Sequence, residues 1–364
     1  MSYRFLVPVG ALALMIALSA TGQTPSQPAK PAAAKSKPWT PPRTADGHPD
    51  LQGVWTNATI TRMERLPEFN GKLNLTEEEA AKFEKADHEA AEEKPGVESV
   101  NLGGQVFSGT NAGYNVLFID RGSELARVDG VKRSSLIVDP PDGRVPTLAR
   151  GGGGRGAGGG AGGRGAAAAA GRGGDAAAGG RGGFGGSQYD SVKNRPASER
   201  CLIGFGSTSG PPMMPVLYNN NYQIVQTPDA VMILVEMVHD VRVVRMNATH
   251  APPEIRSWLG DSIGHWEGDT LVVDTTNFNG KTRFRGSSEN LHVIERFSRP
   301  DASNILYRVT IDDPSVFSKP WTMEYPFAAT PGPVYEYACH EGNYAMTDIL
   351  GGARKSEAEA AAKK

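Results

Sequence analysis

The sequence predicts a mainly β fold, an antiparallel barrel or sandwich carrying one or two short helices. Three observations predict it. From Tyr222 onward, strand-length segments recur at intervals of roughly 8–15 residues, the spacing of all-β domains. Two of them alternate with period two: Ile305, Tyr307, Val309 and Ile311 are apolar, and Trp321, Met323, Tyr325 and Phe327 repeat the pattern. Turn-forming residues punctuate the segments, as at Pro228-Asp229 and Glu267-Gly268-Asp269.

The elements follow in chain order. Residues 1–23 read as a secretory signal peptide, with Arg4 before an apolar stretch and small residues at its end. Residues 24–45, rich in Pro, Ala and Lys, read as a flexible linker, and order is expected from about Asp46. Leu51 to Thr56 is a strand. Thr76 and Glu79 form a capping box that opens a surface helix over 76–94, whose only large apolar residue is Phe83. Strands are expected over 115–119 and 134–138, the second running into the turn Pro140-Pro141-Asp142-Gly143. Residues 150–186 are Gly, Ala and Arg with almost nothing that enters a core, so a disordered insert is expected.

The strand-rich half contains Tyr222–Gln226, Val231–Val238 and Val241–Met246, then a short helix from Pro252 to Trp258. A tight hairpin at Trp266–Thr270 leads into Leu271–Phe278. Leu291–Phe297, Ile305–Ile311, Trp321–Phe327 and Tyr335–Ala338 complete the set, so 46–352 form one domain and 353–364 a flexible tail.

Composition narrows the function. The 364 residues carry a net charge of −2, which argues against a nucleic-acid binder. Two cysteines, Cys201 and Cys339, most simply form a disulfide in an exported chain; free thiols are the alternative. Nucleophile-elbow, zincin and Cys-x-x-Cys motifs are missing.

Four residues concentrate at one expected hairpin: Glu236 in an apolar strand, His239 and Asp240 at the tip, and Arg242 on the return. One reading is a cavity-mouth cluster with His239 as base, oriented by Glu236 or Asp240. The other is a structural Glu–Arg pair beside a turn. Glu295 shares the apolar register of Leu291, Val293 and Phe297, so it should point inward, with His292 and Arg296 on the other face. It serves either as an acid–base partner or in a buried ion pair with Arg242 or Arg308. His239, His265, His292 and His340 have no recognisable ligand spacing, so no metal, haem or other cofactor is expected. Trp266, Trp321 and Tyr325 line a ligand pocket or fill the core, and Arg242, His292 and His340 complete the candidate binding residues.

Several strings place the chain beside known sequences. Asp46-Gly47-His48-Pro49-Asp50-Leu51-Gln52-Gly53-Val54-Trp55, Glu236-Met237-Val238-His239-Asp240-Val241-Arg242, Trp266-Glu267-Gly268-Asp269-Thr270-Leu271-Val272-Val273 and Tyr337-Ala338-Cys339-His340-Glu341-Gly342-Asn343-Tyr344 resemble a family of uncharacterised exported bacterial proteins. That resemblance implies export and no activity. Gly53-Val54-Trp55 is also similar to the first-strand signature of calycins, the lipocalin-containing barrels, which implies a barrel with a ligand cavity. The leading expectation is therefore an exported barrel that binds a small, partly apolar ligand and has no membrane span once the leader is removed. The alternatives are a periplasmic hydrolase or isomerase using His239 with Glu236 or Glu295, and an envelope-associated interaction protein.

Overall fold

The computed structural model describes residues 39–91, 99–102, 105–108, 120–148, 189–204, 210–281, 284–287 and 289–363. The leader, most of the linker, the strand expected at 115–119 and the Gly/Arg/Ala insert lie outside them. The elements, in chain order, are β1 (Gly53–Thr56), β2 (Asn74–Leu75), α1 (Glu77–Ala91), β3 (Ser99–Leu102), β4 (Gln105–Ser108), β5 (Arg127–Val128), β6 (Val131–Arg133) and β7 (Ile137–Asp139). They continue with β8 (Asn221–Gln226), β9 (Ala230–Val235), β10 (Val241–Met246), β11 (Asp261–Glu267), β12 (Thr270–Thr276), β13 (His292–Ser298), β14 (Asn304–Asp312), β15 (Trp321–Ala329) and α2 (Ala345–Ala362).

Nine strands close into a barrel in the order β1-β8-β9-β10-β11-β12-β13-β14-β15, with β15 returning to β1 and β7 added beside β15. The expectation of a barrel is met, with one correction: β10 and β11 run parallel. Parity requires such a pair. Strand direction must return to itself around a ring, so antiparallel junctions come in even numbers, and nine strands leave one junction over. A parallel pair needs a crossover in place of a hairpin, and residues 247–260 supply it. The helix expected over Pro252–Trp258 is absent; these residues form turns and one bridge between Ser257 and Phe278.

The barrel interior is built from the alternating residues. Trp55, Tyr222, Val273, Val293, Phe297, Tyr307, Tyr325 and Phe327 are all buried within it. Tyr307 packs against Phe297, Tyr325 and Phe327 at ring separations of 5.0–5.2 Å. A barrel of about eight strands is just wide enough for side chains to fill, and aromatic rings suit the slightly wider nine.

One end of the barrel is closed by the segment before β1. Leu51 is buried; its N–H donates to Gln226 Oε1 (2.6 Å), and its carbonyl accepts from Trp55 Nε1 (2.9 Å). His48 stacks on Trp266 at 4.8 Å, and Arg43 pairs with Asp269 at 2.9 Å. Defined structure therefore begins ahead of Asp46, because Arg43 has a partner on the β11–β12 turn that local sequence does not reveal.

The helix expected from the capping box is α1. Thr76 Oγ1 accepts from the Glu79 N–H (3.2 Å), and Glu79 Oε2 accepts from the Thr76 N–H (3.0 Å). Ala80 and Phe83 pack with Ile60, Phe69, Leu75 and Leu125 over the small sheet β2-β6-β5. Thr76→Ala is expected to cost about 1 kcal/mol, measured by chemical denaturation. In the turn after β7, Gly143 has φ +68°, and a Cβ there would stand 2.8 Å from Arg65 Cβ, so only glycine fits.

Two further corrections concern the C-terminus. Tyr335–Ala338 form no strand, and α2 runs to Ala362 through the expected tail. Cys201 and Cys339 are disulfide-bonded, with Cα atoms 5.8 Å apart. No helix among the described residues is long and apolar enough to cross a membrane.

Candidate functional site

The expected hairpin cluster is divided by the structure. Glu236 follows β9 and is buried at the barrel rim, where its Oε2 accepts from the N–H (3.2 Å) and the side-chain amide (2.8 Å) of Asn221. His239 ends the short 3-10 turn Met237–His239, and Asp240 follows it. Arg242 does not pair with Glu236. It points into the barrel, because β10 alternates, and forms a two-pronged ion pair with Glu295: Nη2–Oε2 2.5 Å and Nη1–Oε1 3.1 Å. The side chains of Arg242 and Glu295 are 1% and 0% exposed. Of the two partners weighed for Glu295, Arg242 is the one found; Arg308 pairs with Glu324 instead.

Glu295 Oε1 also accepts from the Tyr307 hydroxyl (2.8 Å). Burial works against the Arg242 charge, and the facing carboxylate outweighs it, so the guanidinium pKa is raised. Ser262 and Thr275 extend the network, their hydroxyls 2.9 Å apart and Ser262 Oγ 3.5 Å from Arg242 Nη2. Burial pushes the Tyr307 and Tyr325 hydroxyls well above their ordinary pKa, so both act as neutral hydrogen-bonding groups.

The other end of the barrel, beyond Thr56, holds an occupant that the sequence does not announce. Met213 is fully buried among the interior tyrosines. Its N–H donates to the Tyr307 oxygen (3.2 Å). Its carbonyl accepts from the Tyr325 hydroxyl (2.8 Å) and from Asn57 Nδ2 (2.8 Å). The backbone N–H and C=O of Met213, which belong to successive peptide groups flanking its Cα, are thus both held by side chains of the barrel. Asn57 Oδ1, also buried, has no hydrogen-bond partner among the described residues. Gly-Pro-Pro-Met-Met-Pro lacks any strand or helix period, which is why this plug went unread.

The remaining candidates lie apart. Tyr325 belongs to the Met213 seat. Trp321 is buried against Phe284 and Phe317. Trp266 sits at the far closure under His48, and His340 lies beside the disulfide on an exposed segment. Beside Thr56 and Asn221, an open polar groove of ≈ 430 Å³ runs between the barrel wall and residues 120–127.

His292 stands on the outer wall in a cluster sequence reading missed. Asp274 Oδ1 faces Nε2 of both His292 (3.0 Å) and His250 (3.1 Å). His250 Nδ1 faces Asp261 Oδ2 (3.1 Å), and Asp261 accepts from Arg245 (2.8 Å) and the Ala251 N–H (2.8 Å). The hydrogen bond to Asp274 raises the His292 pKa, against partial burial. Partial burial favours protonated Asp274, yet the two histidines prevail and its pKa is lowered. Among the described residues, no three His, Cys, Asp or Glu are placed to hold a metal ion.

Fold and site together define a closed nine-stranded barrel whose centre is a buried ion pair and whose mouth grips the backbone N–H and C=O of Met213. Comparison with family models, with curated proteins and with solved structures finds no match.

Proposed function

We propose that the protein is an exported binding protein for a small, partly apolar molecule bearing an N–H donor and a carbonyl acceptor on either side of one carbon, seated where Met213 lies. The observation that carries this reading is the grip on the Met213 backbone N–H and C=O: one acceptor and two donors, all on buried side chains. Such a seat binds an N–H and C=O pair on an apolar body, the usual composition of small-molecule sites. The partnerless Asn57 Oδ1 favours a ligand with a second N–H, as in a primary amide, since a buried acceptor without a donor costs about 1–3 kcal/mol. The signal-like leader and the resemblance to exported proteins support export. The hydrolase reading has less support, because both oxygens of Glu295 are engaged by Arg242 and Tyr307.

Met213→Ala tests the reading by shortening the side chain between the gripped N–H and C=O. Native mass spectrometry of the mature wild type and variant, against denatured spectra, is expected to show a stoichiometric adduct retained more fully by the variant. A bare chain in both, including after incubation with N-acetyl-methionine amide, which carries the same N–H and C=O, would remove the proposal.

A further inference from the structure

The seat in the barrel mouth has a polarity, and the ion pair beneath it sets that polarity. Glu295 faces the Arg242 guanidinium through both oxygens, Nη2–Oε2 2.5 Å and Nη1–Oε1 3.1 Å, so it stands as a carboxylate, which accepts and does not donate. A tyrosine hydroxyl carries one hydrogen. Tyr307 gives its hydrogen to Glu295 Oε1 (2.8 Å). What it turns towards the mouth is therefore a lone pair, and the Met213 N–H donates to it (3.2 Å).

Two constraints keep the lone pair there. Phe297, Tyr325 and Phe327 pack around the Tyr307 ring at 5.0–5.2 Å, so the ring does not swing aside. Turning the hydroxyl alone would take a hydrogen bond from a buried carboxylate, and bonds to charged groups are the strong ones. Across the Met213 Cα the polarity is opposite. The carbonyl there meets donors, the Tyr325 hydroxyl (2.8 Å) and Asn57 Nδ2 (2.8 Å). The contacts read a donor, one carbon and an acceptor, which is the pattern of one residue within a peptide. An ester of the same shape would set its oxygen against the Tyr307 lone pair.

We propose that Glu295, acting through Tyr307, is the positioning residue that sets the polarity of the seat, so that the seat takes peptide-like amides and rejects their ester counterparts. This deepens, and rests on, reading the Met213 position as the ligand seat. Tyr307 touches the occupant; Glu295 touches only Tyr307 and Arg242 among the described residues.

The plug itself serves as the probe. Nonsense suppression in the full chain replaces Met213 by its 2-hydroxy counterpart, which keeps the side chain and puts an ester oxygen where the N–H stands. The penalty is the factor by which this change shifts the unfolding equilibrium, read by urea denaturation. In the otherwise wild-type chain it is expected to be at least about tenfold, because a hydrogen bond is lost and two buried acceptors are left facing each other. In Arg242→Met combined with Glu295→Leu, the Tyr307 hydrogen is free to turn towards the ester oxygen. The penalty there should be smaller by about fivefold or more. The ester also weakens the Pro212 carbonyl, which accepts from the Met214 N–H (3.1 Å), but it does so equally in both backgrounds. General loss of stability cancels in the same way, so a merely structural Glu295 would leave the penalty unchanged. An unchanged penalty in the folded double variant would overturn the proposal, as would a wild-type penalty under about threefold. If the double variant does not fold, Glu295→Gln carries the same comparison, since its amide can turn a donor towards Tyr307. No ligand is added, so a bare chain in native mass spectrometry would remove the ligand reading without touching this result.

Discussion

Arg242→Met is expected to lower the unfolding free energy by about 3–5 kcal/mol, because it leaves the Glu295 carboxylate buried without its cation. The loss comes from desolvation. In the folded protein Glu295 is fully buried, and among the described residues the Tyr307 hydroxyl would remain on it. Pairing Arg242→Met with Glu295→Leu should recover most of the stability, since a buried ion pair and a well-packed apolar pair are often nearly equal. Urea denaturation of the single and double variants measures both. A single-variant loss under about 1 kcal/mol would show that the carboxylate finds another partner inside the barrel.

The second large effect lies at the periphery. Cys201 and Cys339 are 138 residues apart in sequence. Replacing both by serine is expected to cost about 4–5 kcal/mol on the chain-entropy account, because the unfolded chain regains that loop. The cross-link joins two segments that also meet where Asn343 Nδ2 donates to Cys201 Sγ (3.2 Å) and where Arg354 of α2 reaches the Tyr189 carbonyl. Denaturation of the oxidised protein and the double serine variant gives the difference. Equal midpoints would place the bond outside the cooperative unit, with the C-terminal segment detaching before the barrel unfolds.

What the sequence reveals of this protein is what period and local chemistry encode. Alternation over β13, β14 and β15 identifies those strands and turns Glu295 inward, because register fixes the face. The capping box identifies α1. What escapes is set by distance along the chain. The partner of Arg242 lies 53 residues on and depends on how the two intervening strands, β11 and β12, align. His250, Asp261, Asp274 and His292 meet only because a crossover folds back over a wall. Pro252-Pro253 suggests a helix start, yet the crossover is occupied by side-chain bonds such as Asn277 Nδ2 to the Ala251 carbonyl (3.0 Å). The closed ring offers one signal in retrospect: nine strands demand a parallel junction, and 247–260 is long enough to make it.

The ring is not equally sewn all round. Its antiparallel junctions other than β1–β15 join four to eight residue pairs each, whereas β10 meets β11 through three and β15 meets β1 through two. These two seams divide the barrel into β1-β8-β9-β10 and β11-β12-β13-β14-β15, each formed of strands consecutive around the ring and in the order of the chain. The molecule is in this sense a bivalve. Its halves face each other across Arg242 on one valve and Glu295 on the other, so the ion pair is the fastening between the shells, set between two thin hinges.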